Sequence, residues 1–291
     1  MLAMIKRNLL LYFRNWSGVF FSLMGALISF VLYIVFLKQN MLASWEHVPH
    51  ATTLLDTWLI GGTLAITGIT TTLSSLAQQT IDRERHVDQD LQLTDAGPQR
   101  LQLSYLVSAA LIGVLMQVAM FAIMLGYFHV TDNLSVTWIQ TIDVCSLMIS
   151  SSLLATVINA LIIQHVHSVT NLSKLGSIVG TAAGFLVGTY VPIGTLPTSA
   201  QLLVKAIPGS YVAALYRQYL MDDHLTTIFK GNPGGRSHFE KFMGIRLEWS
   251  TLLSQSTTYH IMGVIFICAL VVVLVPLWSK ARQHRRLVRE R

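Results

Sequence analysis

The chain has 291 residues, of which 53% are hydrophobic and only 12% charged, and its formal net charge is +6. Soluble domains have about a quarter of their residues charged, so this composition excludes an ordinary soluble protein and predicts a membrane protein. Six segments approach the ~20 apolar residues that cross a bilayer core: 19–37, 58–76, 103–128, 138–163, 174–191 and 259–278. We therefore expect an all-α polytopic membrane protein with six transmembrane helices, built as a single transmembrane domain over residues 1–291.

Residues 1–17 precede the first predicted span. They mix apolar side chains at helical spacing with Lys6, Arg7 and Arg14. This pattern predicts a helix that lies in the inner membrane interface. The alternative is that these residues are only a charged flank of the first span.

Lysine and arginine are unevenly distributed between the two sides of the predicted spans. With the N-terminus inside, the first two outer loops contain only Lys38 among these residues. The positive-inside rule then places both termini in the cytoplasm. This topology accounts for the pI near 9.4, so a nucleic-acid partner is not needed to explain it.

The stretch 80–98, between the second and third spans, is the most charged part of the chain. It is predicted to be cytoplasmic and to form a few helical turns that end at Gly97-Pro98. A run of charges is usually a solvated connector, and the alternative is a docking element for a soluble partner.

The second to fourth spans contain hydroxyl and amide side chains but almost no ionisable ones. Such groups either line a mildly polar pathway or hydrogen-bond between helices, and the second role is the commoner. The candidates for a pathway are Thr63, Thr67, Thr71, Gln117 and Asn159.

The fifth predicted span carries a stripe of glycines at four-residue spacing: Gly176, Gly180, Gly184 and Gly188. Such a stripe allows a second helix to approach closely in lipid. The second helix could belong to the same subunit or to another copy, and the spacing leaves both open.

The region 192–258 follows this span. Pro192, Pro197 and Pro208 divide its beginning into apolar pieces too short to cross a bilayer. We expect a re-entrant extracellular helical segment between the fifth and sixth spans, followed by a polar outer cap.

Common catalytic and ligand-binding motifs are missing. The sequence has no G-x-x-x-x-G-K-[ST] loop, no H-E-x-x-H motif, no C-x-x-C pair and no G-x-S-x-G elbow. His165 and His167 are two residues apart, which does not match metal ligation on one helix face. We therefore expect no enzyme activity, metal site or cofactor in this chain itself.

These features together resemble the membrane subunits of type-2 ABC exporters, the bacterial drug and antibiotic efflux permeases, over nearly the whole chain. One matching motif begins at Glu84-Arg85 and continues with Leu91, Leu93 and Thr94. The most specific one consists of Pro192, Leu196, Pro197, Leu202, Pro208, Tyr211 and Arg217. The chain departs from the family pattern at His86-Val87-Asp88, where a glycine is expected, and over 94–98, where a Thr-Pro step is lengthened.

The resemblance implies that 80–98 is a coupling segment seated in a separate ATPase subunit, which binds ATP and Mg. The implied coupling residues are Asp82, Arg83, Glu84, Arg85, Asp88, Leu91, Leu93, Thr94 and Asp95. It also implies that two permease subunits, a second copy or a paralogue, enclose a path closed by an outer gate. The implied gate residues are Pro192, Pro197, Pro208, Tyr211 and Arg217.

The leading hypothesis is an export permease of a bacterial plasma membrane that moves an amphipathic or hydrophobic compound, such as a drug, a peptide antibiotic or a lipid-like molecule. A second hypothesis is a membrane sensor or resistance complex that binds such a compound without exporting it. A third is a membrane enzyme that acts on lipids through its hydroxyl-rich spans.

Overall fold

The computed structural model describes residues 1–45, 48–93 and 97–289, with side chains described as far as residue 275. This part of the chain is helical and contains no β-strand, which confirms the all-α prediction. The helices are α1 (Leu2–Arg14), α2 (Trp16–Ser22), α3 (Met24–Leu32), α4 (Lys38–Ser44), α5 (Ala51–Glu84), α6 (Val87–Gln92), α7 (Gly97–Asp132), α8 (Trp138–Ile163), α9 (Val169–Leu186), α10 (Thr198–Ala206), α11 (Pro208–Ile228), α12 (Pro233–Met243) and α13 (Gln255–Arg289).

Five helical segments among the described residues are long and apolar enough to cross a membrane: Met24–Ser44, Ala51–Glu84, Gly97–Asp132, Trp138–Ile163 and Gln255–Val275. They agree with five of the six predicted spans. The helix α9, predicted as the fifth span, is not among them, and it ends at Leu186 rather than at 191. The chain is therefore a multi-pass membrane protein, while the six-span count stays a prediction.

The helix α5 is the centre of the bundle. In its most apolar window 89% of the residues are buried, against 22% in both Met24–Ser44 and Gln255–Val275. It packs against α7, α8, α9 and α11. Its threonines remain compatible with this burial because Thr67 and Thr71 donate their hydroxyl hydrogens to carbonyls one turn earlier in the helix.

The helix α1 packs one face against α7 and leaves large apolar side chains on the other. Asn8 on the packed face donates a hydrogen bond to the Ser108 hydroxyl at 3.2 Å. The outer side chains include Leu2 and, just after α1, Trp16, which are 83% and 82% exposed. This distribution suits the predicted interfacial position of residues 1–17, which stays a prediction.

The segment after α9 reverses the chain. Gly188 has a φ of +66°, and Thr189 donates its backbone N–H to the carbonyl of Gly184, which ends α9. The short helix α10 follows, and α11 then begins at Pro208. The helix α11 has 21 residues and packs on α5, α8 and α13, and it begins where the short proline-bounded pieces of the prediction end.

The helix α12 covers the first turns of α5 and forms a cap. The indole N–H of Trp58 donates to the carbonyl of Met243 at 2.6 Å. The rings of Trp45 and Phe239 meet edge to face at 4.8 Å. Because α5 runs from this contact to the start of α6, the bundle has a cap end, which carries α12, and an α6 end.

Candidate functional site

The predicted coupling residue Asp82 lies inside the bundle at the α6 end. It is 2% exposed, and its two carboxylate oxygens accept hydrogen bonds from the guanidinium of Arg7 at 2.8 and 2.9 Å. Tyr105 and Gln78 also donate to this carboxylate. The hydrogen bond that Arg7 donates to Asp82 raises the pKa of Arg7, so the guanidinium stays charged. Asp82 therefore joins α5 to the N-terminal helix and presents no surface to a partner.

The next two predicted coupling residues contact the turn between α8 and α9. Arg83 donates to the carbonyl of Val166 at 3.4 Å. A carboxylate oxygen of Glu84 accepts the backbone N–H of Val169 at 2.8 Å, at the first turn of α9, where negative charge is favourable. These side chains therefore connect the end of α5 to the start of α9.

A left-handed residue separates α5 from α6. His86 has a φ of +59°, a conformation that turns the chain between the two helices. In α6, Asp88 accepts a hydrogen bond from Gln92 at 3.4 Å, and Leu91 packs at the edge of the apolar cluster beneath it.

The exposed part of the predicted coupling segment is smaller than the set proposed from sequence. Arg85 is exposed, and the side chain of Leu93 is 86% exposed. Thr94 and Asp95 lie outside the described residues. A single exposed leucine is common on protein surfaces, so it does not by itself identify a partner surface.

The predicted glycine stripe divides into two pairs. Gly184 lies against the ring of Tyr190, where a Cβ would overlap the ring, and Gly188 ends α9. These two positions serve contacts inside the subunit. At Gly176 and Gly180, no described atom lies within 4 Å of a Cβ position, so α9 keeps an open face there.

That open face borders a groove of about 630 Å³ between α2, α3, α5 and α9. Along α9 the groove extends from Val169 to Thr181, a distance of about 18 Å. Its lining is apolar with added hydroxyl groups, such as those of Thr70 and Ser177, and no charged side chain lines it in the described part of the chain. Sequence reasoning did not predict this groove.

The five predicted pathway residues do not line the groove. Thr63, Thr67, Thr71 and Gln117 are fully buried, and Asn159 is 3% exposed. Their polar groups are paired inside the bundle, so none of them faces the groove in this conformation, and a pathway role stays a prediction. Hydrogen bonding between helices, the commoner role, describes Thr63, Gln117 and Asn159, whereas Thr67 and Thr71 donate to carbonyls of α5 itself.

Gln117 illustrates this role. Its amide nitrogen donates to the hydroxyl of Ser152 at 2.6 Å, and its amide oxygen accepts from Ser151 at 3.0 Å and from Tyr216 at 2.7 Å. Asn159 similarly donates to the hydroxyl of Thr72 at 2.8 Å. Four helices, α5, α7, α8 and α11, are thereby held together by polar groups in apolar surroundings.

The predicted outer-gate residues lie at the cap end. Pro192 and Pro197 precede a 3-10 turn and α10, and Pro208 is the first residue of α11. Tyr211 is 4% exposed and donates its hydroxyl hydrogen to the carbonyl of Lys205 at 2.9 Å. The prolines thus set the helix starts, and Tyr211 fixes α11 to the end of α10.

Arg217 is the most unusual residue of this group. Its side chain is fully buried, and no carboxylate among the described residues pairs with it. It donates instead to the carbonyls of Trp58, Gly188 and Gly244 at 3.3, 2.8 and 3.2 Å. Gly188 and Gly244 end α9 and α12, where helix dipoles favour positive charge.

The ring of Trp58 completes this arrangement, because the guanidinium carbon of Arg217 lies 4.6 Å from its centroid. Gly61 and Gly62 provide the space: a Cβ at Gly61 would lie 2.9 Å from the Arg217 side chain. One arginine therefore connects α5, α9, α11 and the cap.

A second buried charge cluster at the cap end was not predicted. Asp56 is fully buried and accepts hydrogen bonds from Tyr33 at 2.7 Å and from Lys38 at 3.2 Å. Lys38 also bonds Asp132 at 2.7 Å. Lys38 is the first residue after a π-helical turn, Tyr33–Leu37, inside the first span. One sequence signal could have revealed this cluster: the first three spans each carry a charged residue on the same side of the membrane, namely Lys38, Asp56 and Asp132.

We predict that Arg217→Lys destabilises the protein, because an ammonium group cannot reach all three carbonyls. Each unpaired buried carbonyl costs about 1–3 kcal/mol. Thermal unfolding in detergent, followed by size exclusion, measures the effect. Arg85→Lys, at an exposed arginine, is the control, and equal melting temperatures for the two variants would contradict the interpretation.

The two halves of the glycine stripe are predicted to respond differently to a methyl group. Gly184→Ala should destabilise the subunit by about 1–3 kcal/mol, because the methyl overlaps Tyr190. Gly176→Ala should leave the melting temperature of the subunit unchanged, because the added methyl group meets open space. The same unfolding assay compares them, and equal losses of stability would show that the division is wrong.

The sequence model of the ABC-2 type transporter family matches residues 1–221, from the start of the chain to α11. The matched part includes the Arg7–Asp82 ion pair, the groove and Arg217. No curated protein and no solved structure matches the chain. Because the match covers well over half of the sequence, the chain belongs to the ABC-2 type transporter family, the membrane permease components of ABC transporters.

Proposed function

We propose that this chain is the permease subunit of an ATP-driven exporter in a bacterial plasma membrane, with both termini in the cytoplasm. The observation that carries the proposal is the α6 end. There a short charged helix, followed by an exposed leucine, joins α5 and α7, two of the helices long and apolar enough to cross a bilayer. A separate ATPase subunit, which binds ATP and Mg, docks on this surface.

Contacts at the α6 end support a route for motion from the ATPase. Arg7 ties α1 to α5 through Asp82, and Glu84 ties α5 to the first turn of α9. A displacement of α6 therefore acts on three helices at once. The coupling surface consists of Arg85, Asp88, Leu91 and Leu93, with Thr94 and Asp95, and the paired residues Asp82, Arg83 and Glu84 transmit the displacement.

The groove is the proposed binding place for the exported compound. Its apolar walls with scattered hydroxyl groups favour an amphipathic or hydrophobic molecule, such as a drug, a peptide antibiotic or a lipid-like compound. A second permease copy or a paralogue covers the open face at Gly176 and Gly180. Alternation between two states then moves the compound from the α6 end to the cap end.

The outer gate lies at the cap end in this proposal. Pro192, Pro197 and Pro208 set the starts of short helical pieces, and Tyr211 and Arg217 fix them to the bundle. Because Arg217 bonds the carbonyls at the ends of α9 and α12, these two ends move together with α11. The gate therefore opens by movement of this group as a unit.

Co-purification tests the docking proposal. We expect the chain, purified in mild detergent from its native membrane, to carry a stoichiometric ATPase and to hydrolyse ATP. The variant Leu93→Asp should lose the ATPase and the hydrolysis, because a charge disrupts an apolar contact, while the chain remains folded. The control is Leu203→Asp, at a 62% exposed leucine of α10 at the cap end.

Three outcomes would contradict the proposal in different ways. A chain that purifies alone and does not hydrolyse ATP would show that it has no ATPase partner of the proposed kind. Equal retention of the ATPase by both variants would show that the ATPase does not dock on α6. Substrate binding without ATP-dependent movement in vesicles would favour a sensor or resistance complex over an exporter.

A further inference from the structure

The cap contains a polar cavity of about 450 Å³ that is separate from the groove. It lies between the second half of α11, α12 and residues 245–256. Asp222, Ser254 and Ser256 at its margin are exposed, so the cavity opens to the outside of the cap. It lies at the opposite end of the bundle from α6 and takes no part in the proposed coupling.

Two arginines of this cavity hold one buried carboxylate between them. Glu240, whose side chain is 3% exposed, accepts from Arg236 at 2.7 Å and from Arg246 at 3.4 Å. Arg236 also donates to Asp222 and Thr226, and Arg246 also donates to two backbone carbonyls. Each guanidinium thus uses three of its five N–H donors, and two on each arginine are left for a ligand.

Gln218 supplies an acceptor on the same cavity. It is 7% exposed, and its amide nitrogen donates to the carbonyl of Ile245 at 2.9 Å. Its amide oxygen has no hydrogen-bond partner among the described residues, although the side chain lines the cavity. This oxygen is not one of the buried atoms that lack a partner, so it is accessible from the cavity and serves as an acceptor for a ligand that brings an N–H group.

The charge and the volume of the cavity restrict the class of ligand that it can bind. Unused guanidinium donors bind carboxylates through paired hydrogen bonds. The arginines are balanced by Asp222 and Glu240, which favours a monoanion over a multiply charged anion. Leu225 and Ile245 add an apolar wall. A cavity of this volume lies within the range of small-molecule sites, about 300–1,000 Å³.

We propose that the cap cavity binds the C-terminal end of a short peptide, with its carboxylate on Arg236 and Arg246 and the N–H of its last residue on Gln218. Two residues of the cavity directly follow residues of the Arg217 arrangement: Gln218 follows Arg217, and Ile245 follows Gly244. A bound peptide therefore lies next to the contacts that hold the proposed gate. The site does not depend on export.

The test uses the full purified chain and two biotinylated random tripeptide libraries, one with a free C-terminal carboxylate and one with a C-terminal amide. We expect at least tenfold higher retention of the free-acid library. Ser256→Asp, which adds a negative charge at the exposed margin of the cavity, should remove most of this preference. Ser237→Asp, at an exposed serine of α12 outside the cavity, is the matched control.

Equal retention of the two libraries would overturn the proposal. So would a free-acid preference that Ser256→Asp and Ser237→Asp leave equally unchanged. Displacement by millimolar inorganic phosphate without any preference between the libraries would show a general anion site and contradict the peptide assignment. The assay needs no ATPase, so its failure is distinct from failure of the docking proposal.

Discussion

The structure depends on one constraint: a central apolar helix can bury charged side chains only where each finds a partner. The helix α5 carries two buried aspartates, one near each end, and the two sites are built alike. Asp56 pairs with Lys38 and a tyrosine, and Asp82 pairs with Arg7 and a tyrosine. Both cations come from the chain before α5. The N-terminal helices are therefore attached to α5 at both ends of the bundle.

The buried charge of Arg217 meets the same requirement for a partner, but without a carboxylate. Three backbone carbonyls and the ring of Trp58 replace the counter-ion, and two of those carbonyls end helices. At the cap end, one buried side chain therefore contacts several elements, whereas the groove between α3, α5 and α9 has an open face at Gly176 and Gly180. This contrast favours motion along the groove and around α9 rather than within α5 and α11.

The sequence predicted five spans well because each is a long, continuous apolar helix, a property that hydropathy detects whether the helix faces lipid or other helices. It did not reveal α11 as a deeply packed helix, because Gln218 and Arg217 lower its hydropathy while other elements supply their partners. The four glycines had equal weight in the sequence, yet only the fold separates those that contact Tyr190 or end α9 from those that face the groove. Partners of buried charges are distant in sequence, so spacing could not identify them.

In the proposed function, the ion pair between Arg7 and Asp82 transmits motion between the N-terminal helix and α6. A double-mutant cycle on permease-dependent ATP hydrolysis tests it most directly, with Arg7→Glu, Asp82→Arg and the double exchange, each normalised to recovered complex. We expect a loss of about tenfold or more in each single variant and recovery of most activity in the exchange. Wild-type hydrolysis in both single variants, or an exchange no more active than either of them, would show that this ion pair does not transmit the motion.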